Sequence, residues 1–135
     1  MKGSYVLIIE MDREMEIEVG RLGPIIFKKG YYLYVGSAMN GLEARISRHL
    51  SKDKKMRWHV DYILGIGKIV DIYIKPHERV ECLIAEKLSR IFDSIPKFGS
   101  SDCKCKSHLF YSRSLKRAKD TLSSLGLMRG MFLNR

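Results

Sequence analysis

Arg45 and His49 lie four residues apart in a segment with helical periodicity, and both side chains could act on a phosphate group. Leu42, Ile46 and Leu50 recur at helical spacing, which predicts that the two polar side chains share one face beside an apolar stripe. An arginine can bind two phosphate oxygens and neutralise the charge that develops during phosphoryl transfer. A histidine can donate to an oxyanion or transfer a proton. A solvated basic helix face is the alternative interpretation.

Three further side chains suit the same chemistry. Glu81 lies at the edge of the apolar side of a helix predicted over 78–92, where a carboxylate needs a partner. It could hold a hard cation such as Mg²⁺ or, equally well, pair with an arginine. Tyr5 begins the first predicted strand, and Tyr34 lies on a later one. A phenol whose pKa a nearby cation lowers can act as a general base, and a neutral phenol can orient water; core packing is the alternative.

A second constellation, Cys103-x-Cys105-x-x-His108 preceded by Asp102, combines thiols with an imidazole. Such side chains are the usual ligands of zinc. The spacing is tighter than in half of a standard zinc finger, and free thiols in a tight loop are the alternative. Candidates for a fourth ligand are Cys82, His59 and Asp102.

The charge balance indicates a polyanionic partner. The 135 residues include 25 Lys and Arg but only 15 Asp and Glu, which gives a net charge of +10. Nucleic acid is the first candidate partner, and an anionic membrane surface is the second. Trp58 could stack on a base or pack in the core. The side chains assigned to substrate binding are Lys28, Lys29, Ser37, Arg48, Trp58 and His59.

Length and cysteine content suggest a cytoplasmic protein. No segment approaches the ~20 apolar residues of a membrane span, and the apolar run 6–9 is too short for a signal peptide. Three cysteines are an odd count that does not fit a secreted disulfide framework. We therefore expect reduced thiols, a cytoplasmic location and no membrane partner.

Hydrophobic periodicity predicts an α+β domain with a small, mostly antiparallel sheet flanked by helices. Strands are predicted over 4–10, 14–20, 25–27, 31–35, 69–74 and 109–111, and helices over 42–51, 58–64, 78–92 and 113–124. The first two strands are expected to form one hairpin, and the next two a second hairpin. In the helix over 78–92, the predicted core residues are Val80, Leu83, Ile84, Leu88 and Ile91. The domain is assigned to 1–125, with a basic tail over 126–135.

Taken together, these residues resemble the GIY-YIG nuclease superfamily. The motifs that carry the resemblance are Gly3-Ser4-Tyr5, Tyr34-Val35-Gly36, Arg45 with His49, and Glu81. Ser4 replaces the usual isoleucine, and Gly41 adds one residue before Arg45. Segments 31–50, 58–62, 81–82 and 98–110 look more narrowly like a small, mostly archaeal branch of unassigned function. Some members of that branch are fused to endonuclease-III-type DNA glycosylases.

The resemblance, which spans about residues 3–112, implies a GIY-YIG endonuclease-like fold and one-metal hydrolysis of DNA phosphodiesters. Tyr5 is implied to be, or to assist, the general base, and Tyr34 to orient the water or phosphate. Arg45 would stabilise the pentacoordinate phosphate with His49 beside the tyrosine, and Glu81 would hold Mg²⁺ or Mn²⁺. The expected substrate is DNA, including branched or damaged structures. The rivals are a non-catalytic nucleic-acid-binding module and a zinc-stabilised adaptor that docks on another DNA-repair protein.

Overall fold

The observed elements follow the predicted order, with two short strands added. In the computed structural model, which describes residues 1–130, the strands are β1 (Gly3–Met11), β2 (Met15–Glu18), β3 (Pro24–Phe27), β4 (Gly30–Ala38), β5 (Lys68–Pro76), β6 (Asp93–Ser94), β7 (Leu109–Ser112) and β8 (Met128–Arg129). The helices are α1 (Leu42–Leu50), α2 (His59–Leu64), α3 (Glu81–Ser89) and α4 (Leu115–Ser124), with a 3₁₀ turn at Gly20–Leu22. The predicted α+β class is confirmed.

β1 is the centre of the fold because its residues are apolar on both faces. The six-stranded sheet has the order β6-β7-β4-β1-β5-β8, and its neighbouring strands are antiparallel. Tyr5, Leu7 and Ile9 face the core that contains α1 and α2. Val6 and Ile8 face the opposite core, which contains α3 and α4. Helices therefore cover both faces of β1, as its continuous apolar sequence requires.

The two predicted hairpins are wrong. β2 pairs with β3 in a separate two-stranded sheet, whereas β4 pairs with β1 along nine residues from Gly3↔Ala38 to Met11↔Gly30. The physical reason is burial: β1 needs long, buried partners, and β4 supplies one. β2 alternates exposed Glu16 and Glu18 with buried Ile17, so only one of its faces can join the core.

The third helix is shorter than predicted, because α3 begins at Glu81 and ends at Ser89. Leu83 and Ile91, which the helical period assigned to the core, are exposed. Phe92 is buried instead, just before β6, so the chain leaves the helical path there.

The sheet continues into the segment assigned to the C-terminal tail. Met128 and Arg129 form β8, which pairs with Ile74 and Tyr73 of β5 and is the outermost strand on that side of the sheet. The rest of the predicted tail, residues 131–135, lies outside the described residues. Within residues 1–130, no helix has the length and apolarity needed to cross a membrane.

Candidate active site and cysteine cluster

Tyr5 and His49 form a buried hydrogen-bonded pair. The Tyr5 hydroxyl lies 2.7 Å from Nε2 of His49, and the two residues are only 1% and 2% exposed. β1 supplies the tyrosine, and the last turn of α1 supplies the histidine. The Tyr34 ring, from β4, lies 6.4 Å from the Tyr5 ring and 6.0 Å from the His49 ring. β1 thus meets two consecutive elements from later in the chain, β4 and α1, and together they bring two phenols and one imidazole into one cluster.

Gly36 makes room for this pair. A Cβ atom at that position would lie 2.5 Å from the Tyr5 hydroxyl oxygen and 2.6 Å from the ring carbon that bears it. Real side chains do not approach so closely, so any larger residue at position 36 would have to displace the phenol. The glycine of the Tyr34-Val35-Gly36 motif is therefore explained by the position of Tyr5 on the neighbouring strand.

Burial keeps all three rings uncharged at neutral pH. It raises the pKa of Tyr5 well above the ordinary value, although the charge of Arg45 opposes this shift. It also raises the pKa of Tyr34 to about 12 and lowers the pKa of His49 to about 3. The nearby cation therefore does not lower the phenol pKa below its ordinary value, because desolvation outweighs it. A neutral phenol that is hydrogen-bonded to a neutral imidazole can still pass a proton to it, although neither group is charged before the transfer.

Arg45 lies beside the aromatic cluster, on the face of α1 predicted from its spacing. Its Nη1 donates to the carbonyl oxygen of Ser37 at 3.1 Å, which ties the side chain to the end of β4. The guanidinium carbon lies 4.6 Å from the centroid of the Trp58 ring. Its charge acts on both Tyr5 and Tyr34. This placement suits a cation that meets a phosphate at the end of the strand.

Arg48 is engaged in a structural ion pair. Its Nη1 and Nη2 donate to the two carboxylate oxygens of Asp61 at 2.9 and 3.0 Å, and its guanidinium stacks 4.1 Å from the Trp58 centroid. Asp61 is fully buried and also accepts from the backbone N–H groups of Arg57 and Trp58. Burial alone would raise the pKa of Asp61, but these hydrogen bonds hold it below its usual range. The arginine assigned to substrate binding thus anchors the start of α2 to α1.

Glu81 has the arginine partner that its spacing allowed, and one of its carboxylate oxygens has no hydrogen-bond partner among residues 1–130. Its Oε1 lies 3.3 Å from Nε of Arg79, whereas its Oε2 is buried without a hydrogen-bond partner among residues 1–130. A buried, unpaired carboxylate oxygen is costly unless something binds it. The donor set therefore fits a divalent cation, because hard cations take carboxylate oxygens.

Glu81 and Arg45 lie near the same end of the sheet. The N–H of Val80, just before Glu81, donates to the Ser4 hydroxyl at 2.8 Å. Ser4 pairs with Ser37 across β1 and β4, and the Ser37 carbonyl accepts the hydrogen bond from Arg45. However, α1 and α3 cover opposite faces of the sheet, and no hydrogen bond or ion pair joins Arg45 to Glu81 within the described chain.

The remaining side chains assigned to substrate binding are divided. Ser37 and the partly buried Trp58 lie at the Arg45 site. The Nδ1 of His59 accepts the N–H of Gly99 at 2.8 Å, and Gly99 lies against the Tyr34 ring, so His59 borders the aromatic cluster through this loop. Lys28 and Lys29 precede the opposite end of β4, and the eight-residue separation of Lys29 from Ser37 corresponds to about 26 Å of strand. The structure therefore does not bring these lysines to the aromatic cluster.

Cys103, Cys105 and His108 form a cluster with Cys82, which lies about twenty residues earlier in the sequence. One ligand atom each from Cys82, Cys103, Cys105 and His108 lies within 4.8 Å of the others. Cys82 is the second residue of α3, and the other three lie in the segment between β6 and β7. Of the three candidates for a fourth ligand, Cys82 is therefore the one that lies in the cluster. The four side chains are close enough together to hold a metal ion.

His108 is oriented toward the thiols. Its Nδ1 lies 3.2 Å from the carbonyl oxygen of Val35, and its Nε2 lies 3.2 Å from Sγ of Cys103. Because a carbonyl can only accept, Nδ1 carries the hydrogen and Nε2 presents its lone pair to the cluster. Histidines that bind metals are commonly held by this kind of hydrogen bond on the other ring nitrogen.

Two structural residues were missed by sequence reasoning. Ser4 was noted only as a departure from a motif, yet its hydroxyl bonds both the Glu78 carbonyl and the Val80 N–H. A serine in an otherwise apolar strand was the available signal. Asp61 lies three residues after Trp58 in the sequence, and nothing in the local spacing connected it to Arg48.

One family model matches nearly the whole of the described chain. The model of the family described as domain of unknown function DUF123 matches residues 4–129. That range contains the aromatic cluster, Glu81 and all four residues of the cysteine cluster. Comparisons with curated proteins and with solved structures gave no match. The chain therefore belongs to the DUF123 family.

Proposed function

We propose that this protein is a divalent-metal-dependent nuclease of the GIY-YIG type, which hydrolyses DNA phosphodiester bonds in DNA repair. The observation that supports this most directly is the buried hydrogen bond between Tyr5 and His49, which lies beside Arg45. A proton relay next to a fixed guanidinium is what the attack of water on a phosphodiester needs. Glu81, on the helix that covers the other face near the same end of the sheet, is the proposed ligand of the metal.

Each side chain has a distinct part in the proposed reaction. Arg45 binds a non-bridging phosphate oxygen and stabilises the charge of the pentacoordinate transition state. Tyr5 accepts a proton from the attacking water as its own proton passes to Nε2 of His49. Tyr34 orients the water or the phosphate. Glu81 is the residue that would hold Mg²⁺ or Mn²⁺, which supplies Lewis-acid activation when bound.

The charge of the chain supports a nucleic-acid substrate. A net charge of +10 attracts a polyanion and makes binding sensitive to salt. The three free cysteines suit the cytoplasm, where thiols stay reduced, and we place the action of the protein there. Branched or damaged DNA is the proposed substrate class, and a second repair protein is a proposed partner.

The test is cleavage of labelled duplex, flap, junction and damaged DNA with Mg²⁺ or Mn²⁺. The wild type should cut at least one structure, and Arg45→Ala should cut it at least ~100-fold more slowly, as expected when a transition-state donor is removed. Glu81→Gln should be similarly impaired. Arg90→Ala is the matched control, because Arg90 is exposed and pairs with Glu86 on the surface of α3, and it should cut within about twofold of wild type.

Two results would reject this proposal. Glu81→Gln protein that cuts as fast as wild type would remove the metal-binding role. Salt-sensitive binding without cleavage of any structure would favour the rival function, a non-catalytic nucleic-acid-binding module.

We further propose Zn²⁺ as the metal of the cysteine cluster. Tetrahedral coordination places sulfur and nitrogen ligands about 3.5–3.8 Å apart, which small side-chain rotations can reach from the observed spacing below 4.8 Å. Three thiolates and an imidazole are soft ligands, unlike the carboxylate of Glu81. A site with four protein ligands is closed, so this zinc would be structural, whether the protein is a nuclease or a repair adaptor.

Zinc content tests this second assignment. Purified protein should contain one zinc ion per chain, and Cys105→Ala should lose the ion and stability together. Protein that is free of zinc after expression in zinc-replete medium, and that does not take up added Zn²⁺, would contradict it.

A further inference from the structure

We infer that zinc bound by Cys82, Cys103, Cys105 and His108 positions Glu81 for the catalytic cation, so that the two metal sites are coupled. This inference rests on the proposed function of Glu81. Cys82 follows Glu81 directly in the chain, which makes one turn of helix the shared element of both sites.

The first turn of α3 has few other anchors. Val80 occupies the N-cap position, and no side chain of the cap residue bonds the helix. Cys82 and Leu83 are exposed, and the buried residues of α3 begin only at Ile84. The anchors of this turn are the Ser4 hydroxyl, which bonds the Glu78 carbonyl and the Val80 N–H, the packing of the partly buried Val80, and the ion pair of Glu81 with Arg79. A metal on Cys82 would add a further attachment to the same turn.

The other side of the cluster is fixed to the sheet. His108 is bonded to β4 twice, because its carbonyl accepts the N–H of Val35 at 2.9 Å and its Nδ1 donates to the Val35 carbonyl. Its own N–H donates to the carbonyl of Phe98, which is fully buried. A metal shared by His108 and Cys82 would therefore join the start of α3 directly to the central sheet.

Glu81 is near this site without competing for it. Its charge acts on both Cys82 and His108. However, adjacent helical residues point in different directions, which leaves the Glu81 carboxylate outside the group of four ligand atoms. Zinc with three thiolates and a neutral imidazole also carries one net negative charge, whereas the metal-free cluster of thiols carries none. Zinc thus both holds Glu81 in place and makes its surroundings more attractive to a divalent cation.

The test measures Mn²⁺ binding without DNA, from the loss of the electron paramagnetic resonance signal of free Mn²⁺. Glu81→Gln protein supplies the baseline for ions bound elsewhere. Zinc-loaded wild type should bind Mn²⁺ at the Glu81-dependent site at least ~10-fold more tightly than wild type stripped of zinc. Added Zn²⁺ should restore the affinity of the stripped wild type, while the absorption of a Co²⁺-substituted sample checks for tetrahedral thiolate coordination.

Two variants separate the metal from the fold. Cys103→Ser/Cys105→Ser should show the weak Mn²⁺ affinity of stripped protein and should not recover with Zn²⁺, whereas Lys104→Ala, between the two thiols, should match wild type. Cys82→Ser leaves three ligands in the loop but removes the connection to α3. Cys82→Ser should therefore weaken Mn²⁺ binding even where zinc is retained. This variant tests the coupling even if the zinc-free wild type unfolds.

The outcomes distinguish this inference from the proposed function. Absence of zinc uptake, or Mn²⁺ affinity at Glu81 that is equal with and without zinc, overturns the coupling even if the protein cuts DNA. Zinc-dependent Mn²⁺ binding in a protein that cuts no DNA supports the coupling and rejects the nuclease.

Discussion

Replacing Asp61 by asparagine should destabilise the fold substantially, because this carboxylate is fully buried and accepts four hydrogen bonds. One oxygen receives Nη2 of Arg48 together with the N–H groups of Arg57 and Trp58. The other oxygen receives Nη1 of Arg48. An asparagine can direct its single oxygen to the first group only, and its NH₂ group then faces a guanidinium that also donates.

The loss of stability in Asp61→Asn can be estimated from the hydrogen bonds and the ion pair that the substitution removes. A hydrogen bond to a charged group contributes ~1.5–3 kcal/mol. Breaking a fully buried ion pair costs ~3–5 kcal/mol, but the Arg48 side chain is 24% exposed and can turn to water, which lowers that value. We expect Asp61→Asn to reduce the free energy of unfolding by about 2–3 kcal/mol, and the Tm by about 10 °C for a domain of this size.

Urea unfolding followed by tryptophan fluorescence is the natural assay. Trp58 is the single tryptophan of the chain, and its own N–H is one of the donors to Asp61. Asp120→Asn is the matched control, since Asp120 pairs with Lys116 on the exposed side of α4 and should change stability by less than ~0.5 kcal/mol. A free energy of unfolding for Asp61→Asn within ~0.5 kcal/mol of wild type would refute the reasoning.

The pH dependence of the same variant gives a second check. The pKa of Asp61 is lowered in the folded state, so its stabilisation is present above the ordinary carboxyl pKa and is lost as the pH falls through the folded value. The difference between wild type and Asp61→Asn should therefore be largest near neutral pH and should shrink in acid. A difference that stays constant down to strongly acidic pH would show that the charge of Asp61 contributes nothing.

Two further predictions concern the aromatic cluster. Gly36→Ala should lower the free energy of unfolding by about 1–3 kcal/mol and abolish the proposed cleavage, because the added methyl group would collide with the Tyr5 phenol. Gly65→Ala is the control and should be nearly neutral, since its added methyl group would meet no atom closer than 3.6 Å. Equal urea midpoints for the two variants would contradict this prediction. The pKa of His49 is about 3 in the folded protein, so the imidazole stays neutral between pH 7 and pH 5. In the unfolded chain the same side chain has its ordinary pKa and takes up a proton over that range. The free energy of unfolding of the wild type should therefore fall by about 2 kcal/mol between pH 7 and pH 5 because of this residue. His49→Gln should lack that part of the pH dependence, and an unchanged dependence would argue against a buried neutral imidazole.

The fold class and most elements were predictable because they depend on local periodicity. The apolar sequence of β1 indicated a central strand, and the Leu42–Ile46–Leu50 repeat indicated α1 with nearly correct bounds. Strand pairing was not predictable in this way. Alternation in β2 shows that one face is buried, but it does not say against which strand, and proximity in sequence suggested the wrong partner.

In the candidate site, too, local spacing predicted some features, whereas others depend on long-range packing. Arg45 and His49 could be placed on one helix face from spacing, but their meeting with Tyr5 depends on the register of β1 and on the packing of α1. The family resemblance, rather than local periodicity, connected these segments. The Arg48–Asp61 ion pair joins two helices that a charged linker separates in the sequence, and no pattern within either helix predicts it. Cys82 could be named as a fourth ligand, although only the fold shows its meeting with the loop.

The pairing of β1 also determines when the proposed site can exist. Gly3 pairs with Ala38 on one side and with Pro76 on the other, so the first strand must find partners far along the chain. Such long-range pairing slows folding, since loop closure precedes the contacts that reward it. During synthesis, Tyr5 emerges first but cannot meet His49 until α1 has been made and packed, and Glu81 emerges later still. The residues of the proposed site can therefore come together only after α3 has been made.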